Sequence, residues 1–257
     1  MVKGLFTAYT GMINEQHRMD VLTNNLANST TTGYKKEGTT SQSFDALLAY
    51  KLKDTSEGAN IPRHIGFNQP GVKIGENYTD YSQGSFKITD NTYDLALGNE
   101  GFFTIEFTDK AGNTSTKYTR DGEFAVNTEG YLVTKDGDYV MGTNGRIQLD
   151  PTKDSKIDTR GNIIQGDRTV ATLQITDFED YNYLKKYGEN LLEAVEGATY
   201  RTPDCKVYQG NLEASNVQIV TEMVDLIAIT RQYEANQKII KAYDETLETA
   251  VTQLGRV

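Results

Sequence analysis

The chain of 257 residues has no tryptophan, four prolines, two histidines and one cysteine. Because Cys205 is alone, no intrachain disulfide bond can form. His17 lies beside Arg18 on a predicted helix, where a solvated side chain is the expected role, and His64 has no neighbouring cysteine or carboxylate pair. The HExxH, CxxC, P-loop and GxSxG patterns are also absent, so the sequence offers no recognisable metal or nucleophile motif.

Long apolar runs and excess positive charge are missing as well. No segment approaches the roughly 18 consecutive apolar residues of a membrane-spanning helix, so we expect no membrane insertion. Acidic residues number 36 against 26 basic ones, which gives a formal net charge of −10. Since binding of nucleic acid needs a basic face for the phosphates, this balance argues against a nucleic acid partner.

The first residues do not have the pattern of a secretory signal peptide. The polar run 14–18 interrupts this segment before an apolar core can form. A single cysteine suits a reducing compartment, or a protein that is secreted without needing disulfide bonds. We therefore expect either a cytosolic protein or one that is exported by a route without such a signal.

The chain does have an apolar side chain at every seventh position near each end. A repeat of seven is typical of helices that wind around partner helices. The N-terminal repeat consists of Leu5, Met12, Met19 and Leu26, with Leu22 on the same stripe, and the C-terminal repeat consists of Ile219, Leu226, Tyr233, Ile240, Leu247 and Leu254. We call these residues the seam positions and predict that they form an assembly interface.

The repeats predict a helix over residues 3–27 and a second helix from Ser215 to about Leu254. The first helix is expected to end at Asn28, because three threonines and Gly33 follow within five residues and disfavour a helix. Ser215 and Gln218 have the spacing of a capping box at the start of the second helix. At ~1.5 Å per residue that helix would be roughly 58 Å long, which requires partners beyond a small domain. Two such helices favour a subunit built to assemble over an enzyme built around a pocket.

The middle of the chain is rich in tyrosine and glycine and is predicted to form β-structure. Turn signals recur every seven or eight residues, and Asp-Gly and Asn-Gly supply the positive φ angles of tight hairpin turns. The signals are Asp121-Gly122, Glu129-Gly130, Asp136-Gly137 and Asn144-Gly145, with apolar segments at 124–126, 131–133 and 139–141 between them. This spacing predicts an antiparallel meander. Further strands are predicted at 95–97, 102–107 and 169–175.

The predicted fold class is α+β, with long coiled-coil-forming helices at both ends and a mostly antiparallel β-rich centre. We divide the chain into an N-terminal segment 1–35, an extended connector 36–75, a β-rich domain 76–205 and a C-terminal helical segment 206–257. Within the connector, Phe44 to Leu52 could form a short helix. Residues 181–192 could form a short helix or a loop.

Several acidic and glycine-containing segments invite a chemical interpretation that the spacing does not support. Residues 136–138 and 109–113 resemble fragments of calcium loops, but neither has the full ligand spacing, so both are interpreted as turns. The glycine pattern of residues 98–101 is too weak a match to a phosphate-binding loop. We predict no catalytic residue, no metal site and no cofactor.

Three separated motifs resemble those of bacterial flagellar rod and hook proteins. The first contains Asn24, Asn25, Leu26, Ala27 and Asn28, followed by Gly33, Tyr34 and Lys35; the second runs from Tyr118 to Gly122; the third contains Leu212, Glu213, Ser215, Asn216 and Val217. The segments around 93–103 and 222–238 are also similar to that family. Because the motifs occur in the family's order over nearly the whole chain, the resemblance is specific.

The resemblance implies a structural subunit that stacks helically with copies of itself into a hollow shaft. The terminal helices would form the inner tube of this shaft, and the β-rich domain the outer layer. The implied partners are other rod and hook subunits, the surrounding bushing or cell wall, and the export apparatus. Export through the flagellum-specific type III channel, to the basal body outside the inner membrane, would explain the missing signal peptide.

The length of the chain and the run 209–217 favour the distal rod protein within this family. The proximal rod protein of similar size and a hook-type axial subunit are alternatives that share the terminal motifs. A secreted β-rich module that binds or hydrolyses glycans is an alternative from another functional class.

Overall fold

The computed structural model describes residues 2–44, 47–51, 63–68, 70–109, 112–188 and 190–254. The chain divides into two compact units. Unit 1 comprises Met1–Ala27, Glu37–Asp80 and Gln218–Val257, and unit 2 comprises Asn28–Lys36 and Tyr81–Val217.

In the described residues, unit 1 contains two long helices and two strand pairs. Helix α1 covers Val2–Ala27 and helix α2 covers Ile219–Thr249, after which Ala250–Leu254 continue as π-helix. Strand β1 (Glu37–Ser43) pairs with β4 (Val72–Thr79), and β2 (Leu47–Lys51) pairs with β3 (Arg63–Asn68), both antiparallel. In the described part of the chain, neither helix is both long enough and apolar enough to span a bilayer.

The two predicted helices are present, but the start of α2 differs from the prediction. The capping box is wrong: Gln218 occupies the N-cap position and makes no side-chain capping bond. The Ser215 hydroxyl instead accepts a hydrogen bond from the Val217 amide, at 3.3 Å, in the turn before the helix. A strand ends only two residues before Ser215, so the chain must first turn, and the helix of 31 residues spans ~46 Å at 1.5 Å per residue.

Strands replace much of what the sequence predicted as an extended connector. The described residues between 37 and 79 form the two antiparallel pairs of unit 1. The short helix predicted from Phe44 to Leu52 is wrong for residues 47–51, which form β2; residues 45, 46 and 52 lie outside the described residues. Cross-strand pairing with β3 overrides the helix propensity of leucine, alanine and lysine here.

Unit 2 is built from short antiparallel strands. These are β5 (Phe86–Ile88), β6 (Leu95–Gly98), β7 (Phe102–Thr108), β8 (Thr114–Thr119), β9 (Phe124–Val126), β10 (Leu132–Thr134), β11 (Tyr139–Gly142), β12 (Gly145–Arg146), β13 (Ser155–Ile157), β14 (Asn162–Gln165), β15 (Arg168–Thr172), β16 (Ile175–Phe178), β17 (Leu184–Tyr187), β18 (Leu191–Ala194), β19 (Tyr200–Arg201), β20 (Lys206–Gln209) and β21 (Asn211–Glu213). The main sheet has the order β17-β18-β8-β7-β11-β10-β9, and β16 also pairs with β7. The order β13-β14-β15 forms a smaller sheet, while β20 pairs with β6 and β21 with β5.

Every strand pairing in the described residues is antiparallel, which agrees with the predicted α+β class. The meander β9-β10-β11 is confirmed, and Gly130, Gly137 and Gly145 have φ angles of 86°, 95° and 109° as its turns require. Gly122 serves another purpose. A Cβ at Gly122 would lie 2.7 Å from the carbonyl carbon of Leu95, so only glycine allows this backbone approach.

The segment 181–192, for which a short helix or loop was predicted, is mostly a hairpin. Tyr181–Tyr183 form one turn of 3-10 helix, which the Asp180 side chain caps at the Asn182 amide. The hairpin of β17 and β18 follows and joins the main sheet through β8. Partners across the sheet therefore decide the structure of a segment whose own pattern is ambiguous.

Two groups of buried apolar side chains stabilise unit 2. The larger includes Leu95, Leu97, Phe103, Ile105, Phe124, Leu132, Val140, Ile147, Leu149, Ile163, Leu173 and Val207, with the half-buried Cys205 packed against it. The smaller includes Phe102, Tyr118, Phe178, Leu184 and Leu192. These cores hold the strand ends that carry the motif residues.

Candidate functional site: a helix pair and a motif junction

Helices α1 and α2 of unit 1 pack against each other in antiparallel fashion with a seven-residue register. A Cβ at Gly4 would overlap the Tyr243 ring, and one at Gly11 would lie 3.1 Å from Asn236 Nδ2. At the other end, Asn25 Nδ2 donates to Glu222 Oε2 at 3.5 Å. Each contact is displaced from the previous one by seven residues, or a multiple of seven, in opposite directions along the two helices.

The face of α2 towards α1 alternates in steps of four and three residues. Its buried or half-buried positions are Glu222, Leu226, Ile229, Tyr233, Asn236, Ile240 and Tyr243. The seam positions Leu226, Tyr233 and Ile240 belong to this face. Ile219 and Leu247 are exposed at its two ends, and the side chain of Leu254 lies outside the described residues. Steps of four and three are the spacing by which helices pack side chain against side chain along a narrow stripe.

The face of α1 towards α2 is made of small and polar residues more than of the predicted seam. It includes Gly4, Ala8, Gly11, Glu15, Arg18, Leu22 and Asn25. Leu5, Met12, Met19 and Leu26 each follow one of these positions by one residue and are half-buried on its flank, ~100° around the helix. The absence of side chains at Gly4 and Gly11 lets the two helices approach closely.

Asn25 also fixes the start of β1 within unit 1. Its Nδ2 donates to the Glu37 carbonyl at 2.8 Å, and its Oδ1 accepts from the Glu37 amide at 2.9 Å. The amide side chain thereby pairs with one residue of β1 as a neighbouring strand would. On the adjacent face of α1, His17 Nε2 lies 3.4 Å from Asn77 Oδ1 of β4, so its ring contacts the strand pair.

The motif residues of unit 2 meet at one place, which we call the motif junction: residues 32–36, 118–122 and 212–216. The Gly33 amide donates to the Glu213 carbonyl at 2.8 Å. Gly33 has a φ angle of +68°, and a Cβ there would lie 2.6 Å from the carbonyl carbon of Arg120. Glycine is therefore required at position 33 both by its conformation and by the approach of the third segment.

A buried ion triad stabilises the motif junction. Lys35 Nζ lies 2.6 Å from Glu213 Oε1, and Arg120 Nη1 lies 3.2 Å from Glu213 Oε2. All three residues are buried, and the Arg120 guanidinium also lies 5.2 Å from the centre of the Phe102 ring. The two cations and one carboxylate join all three motif segments, because each contributes one member.

Asp121 holds the N-terminal motif from the other side. Its Oδ1 accepts from the Thr32 hydroxyl at 2.7 Å, and its Oδ2 accepts from Asn190 Nδ2, which also donates to the Thr32 carbonyl. Burial raises the pKa of Asp121, and the nearby Glu123 carboxylate adds to this, while the hydrogen bonds from Thr32, the Glu123 amide and Asn190 act in the opposite direction.

Comparison with known proteins gives the same family from three parts of the chain. The family models that match are described as flagella basal body rod protein (residues 5–35), flagellar hook protein FlgE/F/G D1 domain (96–165) and flagellar basal body rod FlgEFG protein C-terminal (208–254). The flagellar basal-body rod protein FlgF of Caulobacter vibrioides is 32% identical over the whole of both chains. The chain belongs to the flagellar basal-body rod protein family.

Other rod-family relatives also match over nearly their full length. The rod protein FlgG of Caulobacter vibrioides is 32% identical, with 98% of this chain and 99% of the relative covered. The hook-basal body complex protein FlhO of Bacillus subtilis is 28% identical over the whole of both chains. The rod family consists of structural proteins and not of enzymes, so the chain is a structural component of the bacterial flagellum.

The rod-family motif is divided between the two units. Asn25 and Leu26 lie on α1 of unit 1, where Asn24 and Ala27 are exposed. Asn28, Gly33, Tyr34 and Lys35 belong to unit 2, together with Leu212, Glu213, Ser215, Asn216 and Val217. Asn216 joins two of the segments, because its Oδ1 accepts from the Lys36 amide at 2.7 Å and its Nδ2 donates to the Ser82 carbonyl at 3.2 Å.

Arg120, Asp121 and Asn190 complete the motif junction but were not among the predicted site residues. The run from Tyr118 to Gly122 was available as a signal, since it was already part of the family resemblance. No sequence motif marks Asn190 as a junction residue. It reaches the junction because the folding of the β17–β18 hairpin places it beside Thr32.

Proposed function

We propose that this chain is a subunit of the flagellar rod that stacks helically with copies of itself into the hollow drive shaft. The shaft transmits torque and conducts exported subunits. In this proposal the helices of segments 1–35 and 206–257 form the inner tube, and the β-rich segment 76–205 forms the outer layer. The full-length similarity to rod proteins carries the proposal.

The helix pair supports assembly by what it leaves uncovered. Large apolar side chains on the outer faces of both helices remain exposed, among them Phe6, Tyr9, Val220 and Val224. Contiguous exposed apolar surface on a protein is typical of a site that another protein covers. The proposed partners are further copies of the chain, other rod and hook subunits, the surrounding bushing or cell wall, and the export apparatus during secretion without a cleavable signal peptide.

We favour the distal part of the rod for this subunit. Relatives with two different rod-protein names match at the same 32% identity, so the distal assignment rests on the run Gln209–Val217 and on chain length. Within that run, Glu213 and Asn216 make the junction contacts described above. The proximal rod and a hook-type axial position are the alternatives.

Electron microscopy of basal bodies from cells lacking the gene tests the proposed function. We expect a shaft that stops short of the hook while the motor and rings remain, and the length of the stump separates a distal from a proximal subunit. A complete rod that lacks only its curved segment would assign the chain to the hook. Unchanged flagella would refute the structural role.

The seam positions can be tested in the same cells. Leu226→Asp places a carboxylate on the face of α2 that packs against α1, and Leu247→Asp places one at its exposed end. We expect either variant to abolish rod assembly while the β-rich unit stays folded, as measured by circular dichroism of the purified chain. Gln232→Asp, at an exposed polar position of the same helix, is the matched control and should assemble. Normal rods made from either variant would contradict the prediction.

A further inference from the structure

Two apolar patches of unit 1 lie outside the helix–helix contact. The first patch consists of Phe6, Tyr9 and Ile13 on α1, with 40% to 57% of each side chain exposed. The second patch consists of Val220, Met223, Val224 and Ile227 on α2, with exposures of 47% to 75%. Spacings of three and four residues place the members of each patch on one face of their helix.

The register of the helix pair places the two patches at opposite ends. Because Gly4 is level with Tyr243 and Gly11 with Asn236, the first patch is level with residues 234–241 of α2. Because Asn25 is level with Glu222, the second patch is level with residues 20–27 of α1. The centres of the patches are therefore about 14 residues apart along the pair, or ~21 Å at 1.5 Å per residue.

The charges around the two patches are opposite in sign. At the level of the first patch, residues 3–13 and 234–244, three lysines stand against two carboxylates. They are Lys3, Lys238 and Lys241 against Glu234 and Asp244. At the level of the second patch, residues 20–27 and 220–227, the exposed charged side chains are Asp20 and Asp225, since Glu222 is buried between the two helices. Contact between the two different patches brings opposite charges together, whereas contact of the second patch with itself brings carboxylates together.

We propose that the first patch of one copy docks on the second patch of the next copy, head to tail. This inference rests on the proposed rod function and specifies the surface that carries it. A contact between two different patches of the same chain leaves one patch of each copy free for the next copy, so it can repeat along a filament. The seam positions then serve mainly within one chain, and the outward patches serve between chains.

The size of the patches fits a contact that is weak alone. Even with the ~200 Å² of an aromatic residue for every fully exposed side chain, the two patches together expose no more than about 750 Å². Stable pairwise interfaces bury about 1,200–2,000 Å² in total. A single head-to-tail contact therefore leaves the dilute chain monomeric, and assembly requires several neighbours for each copy.

Disulfide crosslinking between two variants tests the proposal directly. Both carry Cys205→Ser; one adds Tyr9→Cys in the first patch and the other Val224→Cys in the second. On mixing under mild oxidation we expect a heterodimer joined through positions 9 and 224, identified by mass spectrometry of the crosslinked peptide. The two positions lie too far apart in one chain to be bridged internally, because disulfides need Cα atoms within about 7 Å.

The matched control replaces Val224→Cys by Gln232→Cys, an exposed position two turns further along α2 on another face. We expect loss of the heterodimer with this control. Homodimers joined through two copies of position 9 or of position 224 would overturn the head-to-tail assignment, as would equal crosslinking with the control. Crosslinking in cells that joins either cysteine to a different rod or hook subunit, with no joining of two copies, would also overturn it.

Complementation of the gene deletion separates this inference from the proposed function. We expect Phe6→Asp and Val224→Asp each to abolish motility, while the purified variants keep the circular dichroism of the β-rich unit. If the deletion stops the shaft but both variants restore full motility, the patch inference fails and the rod function stands. If the deletion leaves flagella unchanged, the rod function itself fails.

Discussion

Glu213 is a single carboxylate that two buried cations share. Lys35 and Arg120 contact its two oxygens at 2.6 and 3.2 Å, and the surplus positive charge of Arg120 faces the Phe102 ring. A buried ion group of this kind is not necessarily more stabilising than apolar side chains of the same volume, but removal of one member leaves a charge buried without compensation. The triad therefore specifies which three segments meet, in addition to any stability it provides.

We predict that Glu213→Gln destabilises unit 2 by about 3–5 kcal/mol, because Lys35 and Arg120 each lose a buried contact with a carboxylate charge. Denaturant unfolding of the purified chain measures this loss. The matched control is Glu106→Gln, which removes the exposed bidentate pair with Arg146 at 2.8 Å and should cost about 1 kcal/mol or less. Equal losses for the two variants would contradict the special role of the triad.

Asp121 predicts a pH dependence of stability. Burial raises its pKa in the folded chain above the ordinary value, so the folded state binds the proton more tightly than the unfolded state does. The contribution of Asp121 to stability is therefore greatest below the ordinary carboxyl pKa and falls as pH rises through the raised pKa, by up to ~1.4 kcal/mol per pH unit.

Asp121→Asn removes this titration. In denaturant unfolding between pH 4 and pH 7, we expect the wild type to lose more stability with rising pH than the variant does. The difference between the two profiles isolates Asp121 from the other carboxyl groups. Parallel profiles would show that this side chain does not titrate differently in the folded state.

At the scale of elements, the helix pair shows what a sequence pattern reveals and what it hides. Leu226, Tyr233 and Ile240 were predicted because they are apolar and recur every seven residues. The intervening inward positions include Glu222 and Asn236, whose polar side chains give no apolar signal. On α1 the hidden positions are glycines, since a residue without a side chain contributes nothing to a hydrophobic stripe.

The strands, too, could be predicted only where the local sequence has a recognisable pattern. The meander β9-β10-β11 was predictable because Gly130, Gly137 and Gly145 supply the positive φ angles at regular intervals. Strand β1, with the sequence EGTTSQS, has no alternation of apolar and polar residues and forms because β4 pairs with it. Pairing partners that lie some 35 residues away along the chain cannot be found from local pattern alone.

We predict that Gly4→Ala weakens the helix pair although it improves helix propensity. Alanine favours a helix over glycine by about 1 kcal/mol, but a Cβ at position 4 overlaps the Tyr243 ring. Assembled material should therefore lose its helical signal at a lower temperature. Gly11→Ala is the milder comparison, because its Cβ meets only the flexible Asn236 amide at 3.1 Å.

Removal of the opposing ring gives a second check on this contact. Tyr243→Ala combined with Gly4→Ala should recover part of the thermal stability that Gly4→Ala alone loses. If the single Gly4→Ala variant melts above the wild type, helix propensity outweighs the close approach and the contact is unimportant.

At the scale of the whole molecule, the two units are stabilised differently. Unit 2 buries two groups of large apolar side chains, whereas the helix contact of unit 1 is lined largely by small, polar and half-buried residues. The hydrophobic stabilisation of about 25 cal/mol per Å² of buried apolar surface therefore belongs mostly to unit 2. We therefore expect these helices to become fully ordered only when neighbours cover their remaining apolar faces.

We predict that residues 1–30 and 216–257 exchange their amide protons much faster than the strands of unit 2 in a dilute monomer. Assembly should then slow exchange in both helices. Hydrogen exchange with mass spectrometry measures both states, with peptides from β7 and β8 as the protected reference. Strong protection of both helices in the dilute monomer would contradict the prediction.

Family and fold class followed from the sequence because three motifs occur in order and because helical and strand patterns occupy different parts of the chain. The meeting of Lys35, Arg120 and Glu213 did not follow, since these residues are separated by 85 and 93 positions (35 to 120, 120 to 213). Motifs that are distant in sequence give no indication of contact until the strands that carry them are paired.

The division of the chain into units has a mechanical consequence. The backbone passes from one unit to the other at 27/28, 36/37, 80/81 and 217/218, which makes four covalent connections. A single linker would act as a swivel, because one backbone strand can rotate about its own single bonds. With four connections, rotation about the bonds of any one of them is restricted by the other three, so the polypeptide has no one bond whose rotation can relax the strain.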